Sequence, residues 1–110
     1  MHLSYNNKKI IIEDCTTFSK RLVGFMFIKK EITKGKKFPK CNSIHTFFMF
    51  QKIDVIMTDK NNKIIKMYPN LKPWKIILPK RNVYYTYELP LKTCNNYKIN
   101  DTLKIKETKN

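Results

Sequence analysis

Residues 41–59, CNSIHTFFMFQKIDVIMTD, decide how this chain is read. β-Branched and aromatic side chains crowd both halves of the stretch, which favours pleated strands over helix. The expectation is two strands, SIHTFFMF and IDVIMTD, folded back on each other about a tight link at Phe50, Gln51 and Lys52. His45 stands among Cys, Asn, Ser and Thr on one side and Phe, Met, Ile and Val on the other. That polar knot is either a chemical site or a strand whose polar groups are satisfied.

Geometry weighs against two chemical readings. Cys41 and His45 are four residues apart in sequence, which on a strand is about 13 Å. A general base must come within about 3 Å of the proton it takes. Cys41 therefore reads as a small apolar residue. A hairpin about Gln51 sets His45 opposite Met57 and Asp54 opposite Phe48, and a one-residue shift sets them opposite Thr58 and Met49. Either register keeps His45 and Asp54 about 10–13 Å apart. Asp54 is then expected to bond backbone near its strand end or to pair with Arg21. His45 is expected as a half-buried ring bonded to a neighbouring carbonyl or hydroxyl.

Outward from this stretch, KKIIIED reads as a strand. TTFSKRLVGFMF reads as a helix capped by Thr16 or Thr17, with Phe18, Leu22 and Phe25 or Met26 at helical spacing and Gly24 near its end. EITKGKKFPK reads as a basic connector broken by Gly35 and Pro39. After the central strands, DKNNK reads as a hairpin turn, because Asn tolerates positive φ, and IIKMY as its second strand. YPNLKPWK reads as a loop stiffened by Pro69 and Pro73, KIILP and NVYYTYELP as extended, LKTCNNYKI as a turn of helix and DTLKIK as a closing strand. The fold class expected is α+β, mainly β: a small barrel-like antiparallel or mixed sheet of six or seven short strands with one or two short helices. At 110 residues this is one domain, 1–110.

The charge is lopsided, with 23 Lys and Arg against 8 Asp and Glu, a net +15. A basic surface of this kind suits nucleic acid or anionic lipid. Codon drift toward A and T accounts for 21 Lys against two Arg and for only part of the excess charge. A dedicated base reader would draw on Arg, whose planar fork is bidentate. If nucleic acid binds, the candidates are Lys29, Lys30, Lys34, Lys36, Lys37 and Lys40.

Cys15, Cys41 and Cys94 are odd in number and form no CxxC pair, which favours a reducing compartment over a disulfide framework. The first residues hold no apolar run of signal-peptide length, and no segment is apolar for long enough to span a bilayer as a helix. The expectation is a cytoplasmic protein, a monomer by default. His2, placed in a frayed terminus, and the scattered cysteines offer no metal-ligand spacing. No cofactor is expected. YYTYE and Trp74 could stack bases but read first as core, with Trp74 plugging one end of it.

With these segments laid out, their order is familiar. KRLVGFMF, CNSIHTFFM, IDVIMTDKNNKII, LKPWKI, YELP and NDTLKI together resemble the uncharacterised family called domain of unknown function 192, or UPF0127, over about residues 15–105. The most specific pieces are residues 42–46 followed by Met49, Ile53 and Asp54. The resemblance implies a small β-rich, barrel-like domain and no established activity or cofactor. It places the family's pattern positions on Arg21, Gly24, Met26, His45, Thr46, Met49, Asp54, Pro73, Glu88 and Leu89. Three departures stand out: Phe25 after Gly24, KGKKFPK in place of a more apolar strand, and LKTCNNYKIND without a glycine.

The function expected is a non-catalytic module that binds an unknown ligand or protein partner. Its cleft would be formed by Arg21, Asn42, Ser43, His45, Thr46, Met49 and Asp54. The competing readings are a hydrolase-type enzyme with His45 as general base, and charge-driven nucleic-acid binding.

Overall fold

The structure is a computed structural model that describes residues 1–17, 20 and 23–107. Its strands are β1 (His2–Tyr5), β2 (Lys8–Asp14), β3 (Gly35–Pro39), β4 (Ile44–His45), β5 (Ile53–Thr58), β6 (Ile64–Leu71), β7 (Ile76–Ile77), β8 (Tyr85–Leu89) and β9 (Ile105–Lys106). Seven of them form one mixed sheet in the order β6-β5-β8-β3-β2-β1-β9, while β4 and β7 pair separately. Only β2 and β3 run parallel. The sheet curls into a half-barrel. Its two edges approach where Lys63 bridges Thr102 and Ile64 exchanges backbone bonds with residues 100 and 101.

Strand β5, flanked by β6 and β8, is buried along its whole length. Ile56 belongs to a core with Leu3, Ile10, Ile12, Ile64, Tyr87 and Leu89. Val55 and Met57 face the other way, into a second core with Phe25, Ile32, Met49 and Ile53. A strand covered on both faces needs an uninterrupted apolar run, which is what IDVIMT supplies. By contrast β2 alternates, with Ile10 and Ile12 buried and Ile11 exposed. The β5–β6 hairpin closes as expected: Asp59 Oδ1 accepts the N–H groups of Asn61 and Lys63, and Asn62 takes φ 62°.

Several expectations are corrected. SIHTFFMF is not a strand and does not pair with β5; only Ile44 and His45 are extended, opposite Ile77 and Ile76. The chain then turns at Phe47 and Phe48, with Phe48 at φ 63°. GKKFP, read as a connector, is β3, and it lies between β2 and β8. Its two lysines misled the reading because they keep their charged ends out of the core: Lys36 pairs with Glu13 at 2.8 Å, and Lys37 lies over the Tyr85 ring. β6 runs on through Pro69, which an edge strand tolerates. His2 is not frayed; it is buried and paired with Ile11 and Lys106. Trp74 plugs no core, for it is exposed.

Of the helix expected near residues 16–26, Phe18, Ser19, Arg21 and Leu22 lie outside the described residues. Among the described residues around them, Thr17 Oγ1 accepts the Lys20 N–H and the Gly24 N–H donates to the Lys20 carbonyl. Among the described residues the one complete helical element is a 3₁₀ turn, Thr93–Asn96.

Candidate functional site

A cavity of about 230 Å³ opens between the 23–26 turn, β3, the 41–45 segment and β8. Phe25, Phe38, Ile44 and Met49 give it apolar walls, and Cys41, Ser43, His45 and Glu88 supply polar groups. Glu88 is the unusual member. It lies on β8 between Lys36 of β3 and Val55 of β5, is only 5% exposed, and its Oε1 has no hydrogen-bond partner among the described residues. Burial pushes its carboxyl up to about 7, against the pull of the Lys36 charge and the Phe25 backbone N–H. Gly24, at φ 51°, brings bare backbone against that carboxylate.

His45 is half-buried on β4 and lines the same cavity. Its Nδ1 accepts the Phe47 N–H at 3.3 Å, which in the neutral ring leaves the hydrogen on Nε2 and makes that nitrogen the donor. The Cys41 thiol points at the Ser43 carbonyl, 3.0 Å away. The other thiols are built into the scaffold. Burial raises Cys15 to about 11 and Cys94 to about 12, the latter helped by the Asp54 charge, so both stay protonated.

The cleft anticipated from sequence divides. Ser43, His45 and Met49 line the cavity. Asn42 is exposed, and its carbonyl accepts the Lys80 N–H. Thr46 is a buried latch whose Oγ1 donates to the Lys72 carbonyl at 2.7 Å and accepts the Lys75 N–H at 2.8 Å. Asp54 accepts the backbone N–H groups of Asn70 and Cys94 at 3.0 and 2.8 Å, as the backbone-bonding reading anticipated. Arg21 lies outside the described residues. Glu88 was missed as a site residue, although a carboxylate inside the apolar run YTYELP was its signal.

The six candidate lysines do not share one face. Lys36 and Lys37 alternate across β3, Lys36 against Glu13 and Phe25 and Lys37 against Tyr85. Lys29 sits over Phe50. Lys30 and Lys34 border a groove that Lys36 also lines, beside the acidic Glu13 and Glu31, and Lys40 is exposed. Although Cys41, His45 and Glu88 line one cavity, no three His, Cys, Asp or Glu among the described residues gather closely enough to hold a metal ion.

Two solved structures share the fold. A protein of unknown function from Novosphingobium aromaticivorans superposes with a TM-score of 0.75 at 15% identity, over 94% of this chain and 82% of that one. A Sinorhizobium meliloti protein, provisionally described as a transcription regulator, gives 0.77 at 18% identity, over 94% and 89%. In sequence, the chain is 40% identical over 78 residues to a UPF0127 protein of Pyrococcus horikoshii, covering 67% of each. A UPF0127 protein of Pyrococcus furiosus is 34% identical over 86 residues, covering 74% of this chain and 73% of its own. The family model for DUF192, described as "Uncharacterized ACR", matches residues 1–106, reaching past the expected segment to take in β1 and β2. The chain belongs to the DUF192 (UPF0127) family.

Proposed function

We propose that this domain binds a small ligand in the cavity beside Glu88, and that the ligand presents an N–H or O–H donor to Oε1 of that residue. The observation that supports this is an oxygen with no hydrogen-bond partner among the described residues, on a buried carboxylate lining an open cavity. An unsatisfied buried acceptor costs about 1–3 kcal/mol, and a ligand donor would recover it. His45, donating from Nε2, and the Ser43 hydroxyl supply the complementary polarity, while Phe25 and Met49 give apolar flanks. The volume is between seven and eight times the roughly 30 Å³ of a water molecule, so the ligand is small. Three free cysteines, two of them buried, suit a reducing compartment such as the cytoplasm.

The hydrolase reading is less well supported. With Nδ1 occupied by the Phe47 N–H and the hydrogen on Nε2, neither ring nitrogen offers a free lone pair for general-base work. The Asp54 carboxylate is engaged with the backbone N–H groups of Asn70 and Cys94. The test is an amide chemical-shift titration with two fragment sets, small primary amines and amides against small carboxylates. Donor-bearing fragments should move the Gly24, Phe25, Ser43 and His45 amides, and should lose that effect in Glu88→Gln. Carboxylates acting equally well, or no fragment acting at these amides, would refute the reading.

A further inference from the structure

Six rings form a connected row across one end of the molecule. Centroid distances are 6.0 Å from Phe50 to Phe27, 5.6 Å from Phe27 to Phe48, 4.9 Å from Phe48 to Trp74, 5.6 Å from Trp74 to Phe47 and 5.0 Å from Phe47 to His45. Four of the six are largely in solvent: Phe27 is 60% exposed, Trp74 59%, Phe50 55% and Phe48 46%. Isolated exposed apolar residues are ordinary, but a contiguous aromatic patch marks an interaction surface.

The row is assembled from three turns that the backbone ties together. Phe27 N–H donates to the Phe48 carbonyl at 2.9 Å, and Trp74 N–H donates to the Thr46 carbonyl at 3.0 Å. The Gln51 side-chain amide holds the carbonyls of Ile28 and Lys30. Phe27, Phe48 and Trp74 all take left-handed backbone, at φ 64°, 63° and 63°, which bulky residues rarely adopt. The tied turns hold these rings outward rather than letting them fold into the core.

Charge selects the occupant. Segments 23–30, 45–52 and 72–80 carry Lys29, Lys30, Lys52, Lys72, Lys75 and Lys80, and not one Asp or Glu. A second copy of this chain, also at +15, would be repelled. Rings packed and tilted against one another form an apolar cap, not separated platforms on which successive bases could stack. Exposed aromatic rings on turns whose segments carry lysines, with Lys29 over the Phe50 ring, suit the boundary between anionic headgroups and acyl chains. We propose that the Phe27–Phe48–Trp74 face docks onto an anionic membrane surface, with its rings entering the interface and its lysines meeting the headgroups. This goes beyond the cavity reading and does not depend on it.

Trp74 is the only tryptophan, so its fluorescence reports directly on the patch. The experiment titrates the protein with vesicles of equal phosphatidylglycerol and phosphatidylcholine, and with phosphatidylcholine alone, at low and high salt. The expected result is a blue shift of Trp74 emission and co-sedimentation with the anionic vesicles only, weakened by salt. Phe27→Asn combined with Phe48→Asn, which suits the left-handed backbone, should bind at least about tenfold more weakly while keeping its melting temperature. If that variant fails to fold, Lys72→Gln with Lys75→Gln should lower the affinity by a similar factor. No emission shift with anionic vesicles would overturn the proposal. So would undiminished binding by a folded variant, or a response confined to single-stranded oligonucleotide or to raised protein concentration.

Discussion

A Cβ atom placed on Gly24 would lie 3.0 Å from Oε1 of Glu88, the oxygen that has no partner among the described residues. Backbone and carboxylate meet there because Gly24 takes φ 51° at the turn that closes one side of the cavity. Glycine reaches that geometry at no steric cost, and any side chain would intrude between Glu88 and the open space. Gly24→Ala is therefore expected to lower stability by about 1–2 kcal/mol through its left-handed backbone and to weaken ligand binding as well. Thermal denaturation read beside the fragment titration separates the two effects.

Glu88 should make stability depend on pH in an unusual direction. Its carboxyl is raised from 4.5 to about 7 in the folded state, so the folded chain holds a proton that the unfolded chain has released. The stabilising effect of that bound proton is present in full below about pH 4.5 and is lost as pH rises toward 7. The loss is on the order of 3 kcal/mol at most. Urea unfolding of the native protein and Glu88→Gln at matched pH should give a difference curve that falls between these limits and is flat above them.

Asp54 ties the edge of the sheet to the 3₁₀ turn. It faces the bulge at which Pro69 and Asn70 together oppose a single residue of β5. Asp54→Ala would leave two backbone N–H groups without acceptors, a cost of about 2–4 kcal/mol. Asp54→Asn, which keeps one acceptor oxygen, should cost about half as much. Hydrogen exchange at the Asn70 and Cys94 amides should accelerate in both variants and more in the alanine form.

Thr46→Val keeps the shape of the side chain but deletes the hydroxyl that both donates to Lys72 and accepts from Lys75. A loss of about 1–2 kcal/mol is expected. The loop carrying Trp74 should also loosen, and Trp74 fluorescence anisotropy would register this as a fall.

The sequence announced strands where burial and pattern agree. IDVIMT and KKIIIED were legible because their apolar residues follow the environments of a two-sided and a one-sided strand. Asn61, Asn62 and Asp59 announced the hairpin turn that leads from IDVIMT into β6 through their local chemistry. GKKFP stayed hidden because its lysines satisfy their charges by snorkelling to Glu13 and across a tyrosine ring. SIHTFFMF misled in the opposite sense. Its strand-like composition reflects a row of exposed rings held by turn backbone, with Phe48 at positive φ, and no local pattern foretells that. Of the site, His45, Ser43 and Met49 were legible from the polar knot. Glu88 stood out only as a carboxylate inside YTYELP; its place at the cavity comes from the pairing of β8 between β3 and β5.

The most direct measurement is the titration of the Glu88 side-chain carboxyl carbon by NMR, in the free protein and in the presence of a small primary amine. A buried acceptor awaiting a donor should titrate near pH 7 when free, and its midpoint should fall when the amine occupies the cavity. A midpoint at the ordinary value of 4.5, unmoved by the amine, would contradict the account.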